Sequence, residues 1–429
     1  MSRSPRTDDP RVAILGQLLP GSAGGIETNL LKLLVSLAAD NGDTGRQLVI
    51  GPGGKSAWLL PHLGHGQKMI EWPPFRCELP RAGRSDVAAG FTRVLRDVVW
   101  KMLGRGTVSA FSNSARRLTR KLKRAGVEVV HFPYQRYFPT SLPFIFEPWD
   151  LQHIHLPEMF SAEEIKLRDW LYRRACEEAA LVVTATRWSK HDLMQHFGLP
   201  SSKIAVIPRG AELQAAEREP LAIDEVLRRL RLPQQFALYP AKTWPHKNHT
   251  RLFQALASLR NEAGLTIPLV CTGKPLGADI DRIQRELESL GLRDQVRFTG
   301  FVDEETMRTL FEQAQLVVFP SLFEGLGIPV LEAMASGTPV VCSQASCLSE
   351  IGGDAAVFFD PYSVADIAAK TAMVWRDRTL RAEMQQRGYS NAASFSWADA
   401  ARSFRVVYRH VAKRPLNSAE TRRLEYMLS

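Results

Sequence analysis

The sequence predicts an α/β protein of two domains, each an open, largely parallel sheet covered by helices. Three observations predict it. The 429 residues exceed what one hydrophobic core usually organises and suit two α/β domains. Short apolar runs alternate with helical stretches from one end of the chain to the other, which is how parallel sheets with crossover helices are written. The stretch from Leu316 to Val341, LVVFPSLFEGLGIPVLEAMASGTPVV, reads as a complete strand, loop, helix and strand.

The elements follow in order. Val12 to Gly16 is the first strand, and Gly21, Gly24 and Gly25 form a glycine-rich turn into a helix from about Ile26 to Leu37. Such a turn lets backbone approach a phosphate, although its spacing is not the G-x-G-x-x-G of dinucleotide binders. Apolar runs at Gln47 to Ile50, Val127 to Phe132, Leu142 to Phe146, Leu181 to Thr184 and Ile204 to Ile207 extend the sheet. Leu213 to Leu230 is charged and helical, and a hinge over Glu212 to Pro220 separates the domains. The second opens with Phe236 to Pro240, followed by strands at Ile267 to Thr272 and Gln295 to Thr299 with a helix from about Ile280 to Leu290 between them. Val364 to Val374 is a plain helix, and the tail from about Trp397 to Arg414 is helical without a catalytic pattern.

Composition narrows the function classes. Hydrophobic residues make up 45% of the chain, as in a well-buried globular protein, and five cysteines without a C-x2-C pair do not form a disulfide frame. A reducing, cytoplasmic setting is expected. The N-terminus MSRSPRTDDPR has no apolar core of signal-peptide type, and the run LLKLLVSLAA is too short to span a bilayer and carries Lys32. The net charge of +10 asks for a polyanionic partner. Much of the excess lies between Phe91 and Arg124, where basic and apolar residues interleave at helical spacing. Two readings fit: a helix pair at an anionic membrane surface, or a solvated basic face on a packed helix. No nucleic-acid reading module is present, so nucleic acid is not an expected partner.

In the Leu316 to Val341 unit, Pro329 suits a first helical turn, while Gly337 and Pro339 mark the stop. A helix N-terminus, with its free amides and the turn of Gly325 and Gly327, therefore points beyond the strand's carboxyl end, where an anion would sit well. Glu324 and Glu332 flank this helix start. Each has an ordinary alternative, as a solvated loop residue or a favourable charge near the helix dipole. The words FEGLGIPVLEAMASGTPVV resemble the E-x7-E signature of retaining glycosyltransferases of family four, which have the GT-B fold of two Rossmann-like domains facing across a cleft. The resemblance implies that Glu324 touches the donor sugar, Glu332 the ribose hydroxyls, and the amides of Gly325, Leu326 and Gly327 the sugar and diphosphate. It implies a domain plan of a disordered stretch over 1–10, an acceptor-binding domain over 11–215, a nucleotide-sugar domain over 216–390 and helices over 391–429 crossing back.

Other segments match in part. The Gly-Gly-Ile-Glu turn resembles the family's loop that closes over the donor, which makes Gly24 and Gly25 candidates. PWDLQHIHLPEMF, Pro148 to Phe160, resembles a segment of bacterial members, but Trp149 stands where many carry a histidine. His153 is the candidate to take over that acceptor-side work, and His155 reads as an ordinary packed or hydrogen-bonded histidine. His-x-His also suggests zinc, yet no third and fourth ligand stand at suitable spacing, so no metal is expected. In AKTWPHKNH, Lys242 and Lys247 occupy the family's Arg and Lys positions, and Ala241 replaces its glycine. Two cations at a strand's carboxyl end suit a diphosphate leaving group, whose charge grows as the glycosidic bond breaks. Asp279 and Asp281 read as a helix N-terminal charge pattern, and Ser349, Glu350, Gly352 and Gly353 as a further turn near the site.

The resemblance thus implies retaining transfer of a sugar from a nucleotide-diphosphate donor to a glycan or polyprenyl-linked acceptor, without a metal cofactor. The wording around Lys247 looks like that of bacterial enzymes building surface polysaccharide, several of which transfer mannose. GDP-mannose or a UDP-sugar is the expected donor, and the cytoplasm the expected place of work, with peripheral contact at the inner face of the membrane as one reading. The alternatives are a nucleotide-sugar epimerase or hydrolase, and a binding protein that keeps the fold with reduced catalysis.

Overall fold

Two parallel sheets order the chain in a computed structural model, which describes residues 9–19, 25–39, 46–73, 113–211, 223–273 and 277–429. The first contains β1 (Val12–Leu15), β2 (Gln47–Pro52), β3 (Gln67–Trp72), β4 (Val129–Phe132), β5 (Phe144–Phe146), β6 (Leu181–Thr184) and β7 (Ile204–Val206), in the order β3-β2-β1-β4-β5-β6-β7. The second contains β8 (Ala237–Pro240), β9 (Leu269–Thr272), β10 (Val296–Gly300), β11 (Leu316–Phe319), β12 (Val340–Ser343) and β13 (Ala356–Phe359), in the order β10-β9-β8-β11-β12-β13. Strand order reverses between β1 and β4 in one sheet and between β8 and β11 in the other. Crevices open beyond the carboxyl ends at such reversals; Lys247 follows β8, Glu324 follows β11 and the helix that Gly25 opens follows β1, whereas His153 follows β5, one strand farther out.

The central strands are short because both faces are covered, so each needs only a few consecutive apolar residues to be buried completely. β1, β4, β8 and β11 are apolar runs of this kind. β3 (QKMIEW) and β13 (AVFF) lie at sheet edges and stay partly exposed; neither was anticipated. Their polar or short patterns carry little of the signal that marks a buried strand.

The chain crosses between the domains twice, side by side. The amide of Ala211 donates to the carbonyl of Phe395 at 3.2 Å, and a Cβ on Gly210 would fall within 2.6 Å of three atoms of Trp397, so this crossing admits only glycine. Helix Arg378–Ala392 remains with the second domain, where Asn391 Nδ2 donates to the carbonyl of Ile351 at 2.8 Å. Helix Trp397–Val411 buries Trp397, Phe404, Val407 and Tyr408 in the first domain's core, and helix Ser418–Leu428 adds Leu424 and Met427.

A buried polar network binds that returning helix to the first sheet. His131 on β4 shares hydrogen bonds with Tyr408 Oη and Glu147 Oε1, both at 2.8 Å, and Arg209 donates to the other oxygen of Glu147. Arg209 also lies over the Phe404 ring at 4.9 Å. Every partner is buried, and removing one would leave a charge or hydroxyl unpaired at the domain's centre.

The helix over 113–124 settles how the second half of the basic stretch is used. Ala115, Leu118 and Leu122 are buried in the first core, while Arg116, Arg117, Arg120, Lys121, Lys123 and Arg124 face outward. Its apolar stripe therefore packs on the domain with the basic face outward, the second of the two readings, for this half of the stretch. Residues 91–112 lie outside the described residues. Among those described, no helix is long and apolar enough to cross a membrane, and Cys176, Cys271, Cys342 and Cys347 are buried and free.

Candidate functional site

The donor half of the site grows from the end of β11. Pro320 ends the strand, and the loop leads to Gly327, whose φ of +62° is the left-handed region that a side chain would strain. Gly327 caps helix Ile328–Ala335, with Pro329 in its first turn. Glu324 is fixed by its backbone: its amide donates to Ser346 Oγ at 2.8 Å, and its carbonyl accepts from Cys347 Sγ at 3.2 Å.

Across the switch point, the loop after β8 brings Lys247 to the same place. Lys247 Nζ donates to Glu324 Oε1 at 2.5 Å, and both side chains are more than four-fifths buried. Three anchors hold that loop. Tyr239 donates its hydroxyl to the Lys247 carbonyl, Asn248 Nδ2 donates to the carbonyls of Pro320 and Pro361 at 3.0 and 2.8 Å, and the Leu322 amide donates to the His246 carbonyl at 2.8 Å. Asn248 is itself left-handed, at φ +59°. Burial and the neighbouring Lys247 charge lower the pKa of His246 to about 4, so near neutral pH His246 adds no positive charge beside Lys247.

Lys242, at the carboxyl end of β8, is half-buried with its Nζ 5.5 Å from the centre of the Trp244 ring. Gly273, with φ +95°, lies against this strand end; a Cβ there would come within 3.1 Å of Ala241 and Lys242 backbone atoms. That close approach of β9 to β8 keeps Lys242 at the rim.

The first domain meets the loop directly. A Cβ on Gly325 would lie 3.0 Å from the Trp149 carbonyl oxygen and from Asp150 Cβ, so glycine is what allows the two domains to approach here. Trp149 has φ +65°, unusual for a bulky residue, and its indole donates to the Pro133 carbonyl at 3.0 Å. That turn aims Asp150 at the donor loop. Asp150 accepts from the Gln152 amide at 3.1 Å, and burial, helped by the nearby Glu324 charge, raises its pKa above the usual carboxylate value.

The structure separates the two histidines of this segment. His153 is 1% exposed, packs edge-on against Tyr172 with ring centres 5.3 Å apart, and neither ring nitrogen has a hydrogen-bond partner among the described residues. Burial lowers its pKa to about 4. The atoms nearest the Gly325 turn belong to Trp149 and Asp150. His155 stacks on Phe323 at 4.9 Å and bonds to Asp192 at 2.7 Å. The sequence offered no third ligand beside His155, and the fold corrects that by bringing Asp192 and His196 to it.

Glu332 faces the first domain as well. Lys32 Nζ lies 3.7 Å from Glu332 Oε1 and 3.9 Å from Glu304 Oε1, bridging the domains. Burial pushes the Glu332 pKa up to about 7, with Lys32 opposing the rise and Glu304 adding to it. Lys32 was missed as a site residue, although a lone cation inside the run LLKLLVSLAA was the available signal. Glu350 was read only as part of a turn. It lies in helix Leu348–Gly352, and its two carboxylate oxygens accept from the amides of Arg187 and Trp188, both at 2.8 Å, at the start of helix Arg187–Phe197 across the interface. Leu156, Leu322 and Phe323 form a small apolar cluster beside it.

Gly25 opens helix Gly25–Ala39, with free space where its Cβ would be, and Gly24 lies outside the described residues. Asp279 and Asp281 fall inside helix Gly277–Ser289 rather than at a strand end.

Comparison with known proteins places the two halves of the chain separately. A family model described as Glycosyltransferase Family 4 matches residues 74–215, and one described as Glycosyl transferases group 1 matches residues 227–391. O-antigen chain mannosyltransferase B of Escherichia coli is 30% identical over 249 residues, covering 58% of this chain and 65% of that protein. Serotype-specific mannosyltransferase WbdA of Escherichia coli is 30% identical over 228 residues, 52% of this chain and 28% of the relative. The chain thus spans less than two thirds of the length of these relatives. The fold matches sucrose-phosphate synthase from Thermosynechococcus elongatus at a TM-score of 0.69 and 17% identity, covering 94% of this chain and 99% of that one. It matches WaaG, a glycosyltransferase involved in lipopolysaccharide biosynthesis, at 0.65 and 16% identity, covering 92% and 99%. Anabaena HepE, solved with UDP and glucose, matches at 0.66 and 19% identity, covering 92% and 97%.

Proposed function

Because the chain belongs to the group 1 glycosyltransferases of family four, we propose that it transfers a sugar, mannose foremost, from GDP-mannose or a UDP-sugar to a hydroxyl of a glycan or polyprenyl-linked acceptor, with retention of anomeric configuration. The observation that carries this reading is the pairing of Lys247 with Glu324 at the mouth of a helix N-terminus, in a loop pressed against Asp150 of the other domain. A phosphate-binding cation, a sugar-binding carboxylate and free amides thereby share one crevice. The mannosyltransferase relatives support the choice of sugar, and HepE with UDP and glucose supports a nucleotide sugar as ligand.

In this reading Lys247, Lys242 and the amides of Gly325, Leu326 and Gly327 receive the diphosphate as its charge grows. Glu332 accepts the ribose hydroxyls in place of Lys32. Glu324 positions the donor sugar and faces the positive charge developing at its anomeric carbon. Asp150, on the acceptor side, orients the incoming hydroxyl; His153, expected from the sequence to do this, is buried against Tyr172. No step asks for a metal. The closed contact at Gly325 aligns acceptor oxygen and anomeric carbon, from which a large part of the acceleration comes. The outward basic face of the helix over 113–124 is the surface that supports contact with the inner membrane face.

The test is nucleotide release from GDP- and UDP-linked sugars, with and without lipid-linked acceptors. Release that rises with acceptor and yields a glycosylated product supports transfer. Acceptor-independent release would make the protein a hydrolase, and sugar interconversion without release an epimerase.

A further inference from the structure

We propose that His155, Asp192 and His196 form a binding site for a late first-row divalent cation, zinc foremost, in the first domain beside the cleft. Their ligand atoms all lie within 4.8 Å of one another. His155 Nε2 is 2.7 Å and His196 Nε2 3.4 Å from Asp192 Oδ1, and the two rings stand edge to face with centres 5.2 Å apart. Ligands at about 2.0–2.2 Å from a tetrahedral zinc are separated by roughly 3.3 Å, so small rotations of the two rings complete the geometry.

Three features favour a cation over a hydrogen-bonded trio. Asp192 and His196 are four residues apart on helix Arg187–Phe197, which puts both on one face, and His155 arrives from a different helix; this gives a rigid, convergent set. The Asp192 side chain is only 5% exposed and faces both imidazoles, so its carboxylate lies sheltered from water where the three ligand atoms converge. The histidine side chains are 29% exposed, which leaves the remaining coordination positions to water. Two imidazoles and one carboxylate suit zinc and its neighbours rather than magnesium or calcium. Because His155 also stacks on Phe323, the residue before Glu324, a bound ion would hold the ring on which the donor loop rests.

The experiment uses the full chain without an affinity tag, stripped with chelator, then titrated with zinc by calorimetry and checked by metal analysis after dialysis. About one zinc per chain is expected, with a raised melting temperature, and cobalt in its place should give visible ligand-field bands. His155→Gln and His196→Gln should weaken binding at least tenfold, while His191→Ala, an exposed neighbour on the same helix, should bind as the parent does. Glutamine can still donate to Asp192, so the metal-free variants should melt close to the parent, and Asp192→Asn provides a third ligand test. Failure of the parent to retain zinc, or equal retention by the glutamine variants, would overturn the proposal and leave a hydrogen-bonded trio. Since transfer itself is proposed to need no metal, neither outcome bears on the glycosyltransferase reading.

Discussion

The two walls of the cleft are built differently. On the second domain's wall the candidate groups already hold one another: Lys247 is paired with Glu324, its loop is pinned by Tyr239 and Asn248, and the amides at Ile328 are fixed by their helix. Both walls carry costs: a left-handed Asn248 and a raised Glu332 pKa on the second, and a left-handed Trp149, a raised Asp150 pKa and a His153 without a hydrogen-bond partner among the described residues on the first. The second, however, also pairs its own cation, Lys247, with its own carboxylate, Glu324. A non-glycine residue in that backbone region costs about 1–3 kcal/mol, and such costs persist where the surrounding structure enforces them. A diphosphate carries the same charge whatever sugar it bears, so fixed cations and amides can be prepared in advance. A hydroxyl acceptor offers no charge to bind, only a direction to be set, and in the proposed reading Asp150 sets it.

That contrast can be broken by exchanging single groups on either wall. The largest effect is expected at Asp150→Asn, which keeps the shape but weakens the acceptor to which the hydroxyl donates: acceptor kcat/KM should fall roughly a hundredfold, as for a misplaced reactant, with donor affinity unchanged. Steady-state kinetics with the acceptor varied would show it, and parent-like kinetics would return the acceptor role to another residue. Lys247→Ala comes next. It removes a charge-assisted contact of about 1.5–3 kcal/mol, so donor affinity or turnover should drop about ten- to a hundredfold, whatever the acceptor. The smallest effect concerns pH. Glu332 is neutral below its raised pKa of about 7 and ionised above it, and the charged form accepts ribose hydroxyls more strongly. Donor affinity should therefore improve as pH rises through 7, by about threefold, and Glu332→Gln should flatten that dependence.

The same contrast explains what the sequence could show. The second domain's site lies within two continuous stretches, Ala241 to His249 and Phe323 to Glu332, because a strand end and the helix after it deliver backbone and side chains together. Strand and helix limits there were legible to within a few residues, as at Leu316 to Phe319. The first domain's site depends on contacts between distant segments. Asp150 stood in plain view beside Trp149, but only the fold sets it against Gly325. Lys32 read as a flaw in an apolar run until its distance to Glu332 was known. His155 gained its neighbours from a helix more than thirty residues on, which no local spacing of the His-x-His kind announces. Edge strand β3 escaped because its exposed positions are polar, and β13, apolar throughout, because four residues are too short a run to stand out.

The proposed reading puts the nucleotide diphosphate on the second domain's wall, with Lys247 as its main cation. Calorimetric titration of GDP and UDP into the parent, Lys247→Ala and Asp150→Asn tests it most directly. One nucleotide should bind per chain, about tenfold or more weakly in Lys247→Ala and within about twofold of the parent in Asp150→Asn. Nucleotide binding that survives Lys247→Ala but is lost in Asp150→Asn would contradict it.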